Sequence, residues 1–415
     1  MSSEESPLDP NRLVGWTPSP SLPYGRGTKD ILLSCLFTLL ICTWTVQHPP
    51  VPARTEKWYG KFFRKCRILA ITVLAPEMLI GAAMGDRFLA KKSVAEMAQA
   101  GFSPTWTMTH GFFALMGGFR AKIVDKNGTD TFLSINSKGI LALRSKPEVQ
   151  ILPVEEEEIK DKAKADVLVK ATAVVQSLWL AAQVISRAAQ HLAVTPLELA
   201  TLGFVLCTVA TYIVWWWKPQ SAEVPITILT IPAASGIDTA INQGWHDEIQ
   251  ISDAWKAAVR NAFSSKGRLR TKHYFAGMHN HSMRFSMFAG MVFGCVHIVA
   301  WNFTFPTKTE AILWRTAAAT ATAMPAALFF MLMMTHFRIS WIYWLTTCMS
   351  GEKKDNDGHT ERDIGWPEWI IIALYAVMRL YLLVALFITF RSQPEYNTRP
   401  KDAMVLLSSW QEWDN

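Results

Sequence analysis

A single carboxylate, Glu77, lies directly after Pro76 in the middle of an otherwise apolar run from Ile68 to Met84. A charged side chain at the centre of a bilayer costs roughly 2.5–3.5 kcal/mol on insertion scales, so Glu77 is expected to face protein and to act. His110, between Thr109 and Gly111 in a second apolar segment, can donate, accept or relay a proton, and is expected as the proton partner of Glu77. A carboxylic acid kept neutral in a low-dielectric site can protonate an alkene or an epoxide, and aromatic faces can steady the carbocation that follows. The chain supplies those faces in quantity, with 18 Trp, 22 Phe and 8 Tyr. Gln176, Gln183 and Arg187, at spacings of seven and four, share one helical face, and His297 and Asn302 form a second polar patch beside Trp301. Trp106, Gln183, Arg187, His297 and Asn302 are expected to line the substrate.

Other chemistries lack a signature. His273, His279 and His281 are close together but form no H-x-x-x-H or H-x-x-H-H box, and there is no D-D-x-x-D run, no phosphate loop and no G-x-S-x-G elbow. No metal and no cofactor is expected. Three further acids have a structural explanation. Glu198 closes a T-P-L-E capping box with Thr195, Glu310 closes a T-K-T-E box with Thr307, and Asp30 belongs to a first turn. Glu77 is about ten residues into its run, where no cap is needed. Arg315, His336 and Arg379 are read as snorkelling or helix-pairing residues.

These residues require helices in a membrane to position them. Half of the 415 residues are hydrophobic and 18% are charged, the mixture of apolar segments alternating with charged loops. The expected fold is all-α, a polytopic integral membrane bundle of about eight spans near 31–46, 68–84, 105–119, 171–189, 197–217, 285–305, 311–334 and 370–390. Pro76 is expected to kink the second span, and the glycine-rich third could instead re-enter. The domain plan is a polar leader over 1–30, a helical domain over 31–390 with polar loops 120–166 and 218–284, and a polar tail over 391–415. Asn127-Gly128 suggests a hairpin between Ile123 and Leu133, and the acidic run from Glu155 a solvated helix start. Trp215, Trp216 and Trp217 before Lys218 mark a membrane interface. Lysine and arginine divide 28 against 10 between alternate loops, which puts both termini on the lumenal side and reads the net charge of +7 as orientation rather than nucleic-acid binding. The six cysteines lie in or beside apolar segments with no C-x-x-C pair and indicate neither zinc nor disulfides.

Five stretches carry a resemblance: Gly25-Arg26-Gly27-Thr28, Cys42-Thr43-Trp44-Thr45, Ala75-Pro76-Glu77, the block from Thr109-His110-Gly111-Phe112-Phe113 to Gly117-Gly118-Phe119, and Trp216-Trp217-Lys218-Pro219. Together they resemble the fungal membrane-bound terpene cyclases of meroterpenoid pathways, of the ascofuranone and macrophorin type, over about Gly25 to Pro225. The resemblance implies cyclisation of a farnesyl chain already attached to a polyketide head, started by protonating a terminal alkene or epoxide, in the endoplasmic reticulum membrane. The implied partners are that lipophilic substrate and membrane lipid. An exporter of a lipophilic metabolite and a membrane acyltransferase remain the alternatives.

Overall fold

The leader gives way to helix where Asp30 can serve the first turn. In α1 (Thr28–Thr45) the Gly27 amide donates to the Asp30 carboxylate at 2.9 Å, and Pro49, Pro50 and Pro52 prevent the helix from continuing. The computed structural model describes residues 13–14, 27–52, 56–102, 105–124, 130–144, 150–162, 167–190, 194–231, 280–336, 352–354, 360–362, 366–391 and 393–394. Among these, helix predominates, but a small mixed sheet corrects the all-α expectation.

The span expected over 68–84 is two helices. Chain continuity breaks at Ala75, and α2 (Trp58–Leu74) and α3 (Pro76–Gln99) differ in direction by 113°. A proline lacks the amide that a continuing helix needs and suits the first position of a new one, so Pro76 begins α3 rather than kinking a single rod. The segment expected to span over 105–119 does not form a helix long enough to cross a membrane. Its helix, α4 (Met108–Leu115), has eight residues and a length of about 12 Å, against a hydrocarbon core of about 30 Å. Gly117 ends it at a φ of 71°, and the Phe113 ring occupies the space where a side chain at Gly118 would go.

The chain then enters a four-stranded sheet of order β3-β2-β5-β4. Strand β2 (Phe119–Val124) pairs antiparallel with β3 (Asp130–Ser134), as the hairpin expectation requires; the turn residues themselves lie outside the described set. It also pairs parallel with β5 (Ile226–Ile231), more than a hundred residues away, and β4 (Gln150–Ile151) closes the other edge of β5. Helices α5 (Ser137–Arg144) and α6 (Glu156–Lys162) cover this sheet, and Phe113, Phe119, Ala121, Ile135, Ile140 and Ile228 fill its core. Parts of the expected polar loops 120–166 and 218–284 are therefore one folded module; His273 and His279 lie outside the described residues.

Between β4 and β5 run α7 (Val167–Ala189) and α8 (Pro196–Val214), followed later by α9 (Asn280–Val299), α10 (Lys308–His336) and α11 (Trp366–Ile388). The Thr195–Glu198 box caps α8 in both directions; Thr307 accepts from the Glu310 amide at 3.2 Å, but the Glu310 carboxylate turns to Arg391 rather than closing the expected box. Four described stretches are long and apolar enough to cross a membrane: Thr28–Thr45, Pro196–Val214, Ser282–Asn302 and Ala373–Arg391. The bent α2–α3 pair makes a fifth if counted as one span. Helices α7 and α10 occupy the places expected for spans four and seven but are less apolar, the first carrying Gln176, Gln183 and Arg187, the second Arg315 and an internal Pro325.

The bundle has two distinct ends. At the sheet end, the Val51 amide after α1 donates to the Met116 carbonyl, Met97 of α3 enters the sheet core, and Lys218 after α8 pairs with Asp86 of α3 at 2.7 Å. At the opposite end, Ile31, Leu197, Ala300 and Phe390 pack in one cluster, Arg391 pairs with Glu310, and β1 (Leu13–Val14) pairs with Gln393–Pro394.

Candidate functional site

The break at Ala75 is what builds the site. In a continuous helix the Leu74 carbonyl would accept from the Met78 amide, but that amide turns to Ala75, at 3.1 Å. The freed carbonyl accepts instead from Arg379 Nε of α11, at 3.2 Å. One turn further on, Glu77 stands in the first turn of α3, where the helix N-terminus favours negative charge. It has 4% of its surface exposed. Tyr375, one turn before Arg379 on α11, donates its hydroxyl to Glu77 Oε1 at 2.7 Å, and Arg379 Nη2 is 3.6 Å from Oε2. Among the described residues Oε2 receives no hydrogen bond. Arg379 thus bridges the C-terminus of α2 and the N-terminus of α3, two helix ends of complementary preference.

Helix α9 forms the opposite wall. Ser286 donates to the Glu77 backbone carbonyl at 3.2 Å, and a Cβ at Gly290 would come within 3.3 Å of Glu77 Cγ, so glycine is what lets the carboxylate lie against this helix. Phe293 presents its ring to Arg379, with the guanidinium carbon 4.4 Å from the centroid. Behind Phe293 lies His297, whose ring is 5.2 Å from that of Phe293 and 6.0 Å from that of Trp314. Its Nδ1–H donates to the Phe293 carbonyl at 3.1 Å. His297 therefore supports the aromatic wall, one ring removed from the charges. Cys207 of α8 is close enough to feel both Glu77 and Arg379.

The other expected site residues lie elsewhere. His110 is on α4 in the sheet module, its Nε2–H donating to the Val154 carbonyl at 3.0 Å while Nδ1 accepts from the Thr107 amide at 3.2 Å. One ring nitrogen thus caps the N-terminus of α4 and the other holds α4 to the segment before α6. Its neighbour Gly111 packs against Ala90, and Ala90 is about 20 Å along α3 from Glu77, so the expected Glu77–His110 partnership is not made. Trp106 belongs to the same module, donating to Ser93 at 3.1 Å with its ring against His110 and Phe119. Gln183 is half-buried and Arg187 buried on α7, which packs against α1 and α8, while the arginine paired with Glu77 is Arg379 of α11. Asn302 is exposed in the turn after α9. The side chain of His336 is outside the described residues.

Tyr375, Phe293 and Glu77 as the partner of Arg379 were not anticipated, although a helix-pairing role for Arg379 was. Their signal was present: Arg379 is a charge in the middle of the chain's last apolar run, and the cost argument that singles out Glu77 applies equally to it. Tyr375 stands four residues before it, on the same helical face.

Residues 2–241 and 276–402 match the sequence model of a family described only as of unknown function (DUF8562). No curated protein and no solved structure matches the chain.

Proposed function

The chain belongs to that family of unknown function, and from the site itself we propose that it is a membrane-bound terpene cyclase acting on the farnesyl chain of a prenylated polyketide, with Glu77 as the initiating acid. The observation that carries this reading is the environment of the Glu77 carboxyl. One oxygen accepts from the Tyr375 hydroxyl, and the other is buried and, among the described residues, receives no hydrogen bond; there the ion-paired carboxylate of the resting protein can take up a proton from water and pass it to the substrate. After transfer to the terminal alkene or epoxide, the carboxylate left behind meets Arg379 and the α3 N-terminus. Phe293 and the phenol ring of Tyr375 supply aromatic faces beside it. His110 has no part in this step and is assigned to folding.

The proposed membrane topology follows from the strand pairings. Strands β2, β4 and β5 share one sheet, so the intervening α7 and α8 cross as a pair, and β1 with Gln393–Pro394 keeps the two termini on one side. With α2–α3 as a re-entrant V that enters and leaves at the sheet end, α1, α7, α8, α9, α10 and α11 give six crossings instead of eight. The 3 basic residues of Gly85–Pro104 then change sides, and the division of lysine and arginine sharpens from 28 against 10 to 31 against 7. The sheet end is cytosolic, in the endoplasmic reticulum membrane.

One observation favours a second reading. A helix broken at membrane depth, with a half-helix N-terminus and a freed carbonyl turned inward, is also how transporters build midplane sites. Yeast microsomes carrying the chain, supplied with farnesylated phenols with and without a terminal epoxide, separate the two. The cyclase yields isomers of unchanged mass and altered retention, lost in Glu77→Gln. Unchanged substrate from both, with the protein inserted, rejects the cyclase and leaves transport.

A further inference from the structure

The first half of α2 is made differently from every span around it. Five cations, Lys57, Lys61, Arg64, Lys65 and Arg67, fall within its first ten residues and the residue before them, and no acid occurs from Lys57 to Leu74. Between them Trp58, Tyr59, Phe62 and Phe63 form an exposed stripe at positions i, i+1, i+4 and i+5, with Trp58 76% and Phe63 67% exposed. In the whole helix only Ile68 and Thr72 are buried, both in its second half. The helix therefore displays aromatic and basic side chains outward where the protein gives them little to pack against.

Its depth is fixed by two neighbours that end there. Phe62 lies 6.3 Å from Trp44, at the last turn of α1, and Lys65 sits 5.7 Å over the same Trp44 ring. Lys61 pairs with Glu223, just beyond the Trp215–Trp217 cluster that follows α8. The start of α2 is thus level with the ends of two apolar spans, at the boundary between hydrocarbon and headgroups. Two of the five cations are matched within the protein, Lys61 by Glu223 at 3.1 Å and Arg64 by Glu56 at 2.8 Å. Among the described residues, Lys57 and Lys65 contact only aromatic rings, and Arg67 is exposed.

We propose that this face of α2 is a docking site for anionic phospholipid headgroups, with Lys57, Lys65 and Arg67 meeting the phosphate and carboxylate groups while Trp58, Tyr59, Phe62 and Phe63 enter the acyl boundary. The occupant is set by complementarity: unmatched cations over an exposed aromatic stripe, at headgroup depth, are the composition of interfacial helices that select anionic leaflets. The proposal does not rest on the cyclase reading, and neither Glu77 nor Arg379 enters its test.

The full chain, purified in detergent, would be titrated with phosphatidylserine and with phosphatidylcholine of the same acyl chains, and retained lipid counted by native mass spectrometry. The wild type is expected to retain phosphatidylserine in preference. The variant Lys57→Gln/Lys65→Gln/Arg67→Gln is expected to lose that preference by about fivefold per charge removed. Lys91→Gln/Lys92→Gln, two exposed lysines of α3 at the same end of the bundle, should leave it unchanged. Equal retention of the two lipids by wild type, or equal loss in both variants, overturns the proposal. If the triple variant does not insert, quenching of Trp58 by headgroup-labelled phosphatidylserine, compared with phosphatidylcholine and referenced to Trp58→Phe, decides it. No greater quenching by the anionic lipid overturns it.

Discussion

Replacing Arg379 with methionine should injure this protein more than replacing its partner. The guanidinium holds two groups across the helix break, the Leu74 carbonyl and the Glu77 carboxylate, and Arg379 and Glu77 side chains are 4% and 5% exposed. Removing one member of a buried ion pair costs about 3–5 kcal/mol because the other charge is stranded. Here Arg379→Met also orphans the Leu74 carbonyl at the helix break, worth about 1–3 kcal/mol by itself. Glu77→Gln is milder: glutamine still accepts from Tyr375, and the stranded arginine keeps Leu74 and the Phe293 face, so about 1–3 kcal/mol is expected. The double variant should then be more stable than the sum of the two losses by at least about 1 kcal/mol, the coupling expected of groups in contact. Unfolding of purified protein by SDS titration, followed through tryptophan fluorescence, gives all four values. Arg379→Met within about 1 kcal/mol of wild type, or strict additivity in the double variant, would refute the bridge.

Other outcomes follow from the same geometry. Gly294→Ala should destabilise the α9–α10 contact by about 1–3 kcal/mol, because its Cβ would fall 2.8 Å from the Thr322 backbone; thermal melts should place it below Gly290→Ala, whose Cβ meets side chains at 3.2–3.3 Å. Burial pushes the Glu156 carboxyl up, but the Lys160 ammonium at 2.8 Å and the Thr109 hydroxyl at 3.0 Å outweigh it and hold the group below its ordinary range. A depressed carboxyl stabilises above its unfolded value and loses that contribution as pH falls through the folded one, so the protection of α6 amides relative to their intrinsic exchange rates should fall below about pH 4.5, and Glu156→Gln should remove that dependence. An impermeant maleimide applied to sealed microsomes should label Leu152→Cys in the sheet module at once, and Thr304→Cys between α9 and α10 only after permeabilisation; the reverse order would invert the topology.

The helices were legible because apolar runs, prolines and capping boxes act locally. Thr195 with Glu198 behaves as its spacing requires, and Thr307 accepts from the Glu310 amide as expected, although the Glu310 carboxylate goes to Arg391. Glu77 was legible as an anomaly for the same reason: its cost is set by its own surroundings in the chain. What it touches was not, since Tyr375 and Arg379 are about 300 residues away and nothing in local spacing reports that pairing. The parallel partner of β2 was hidden in the same way, and so the third segment, apolar but carrying Gly117 and Gly118, read as a span when it is the entry to a sheet. Proline at 76 was read as a kink because sequence shows the lost amide but not the angle, and it is the 113° turn that converts a mid-span residue into a first-turn residue.

The register of β2 on β5 also constrains how this protein is made. On the six-crossing topology proposed above, Phe119 cannot meet Ile226 until everything between them has left the ribosome and both α7 and α8 have entered the bilayer, since a lone crossing would leave the two strands on opposite faces. On that topology, closure of the sheet would act as a proofreading step on insertion of that hairpin. A nascent chain with α7 left outside would expose the unpaired edge of β2, with Phe119 and Ala121 on it, to the quality-control machinery of the cell.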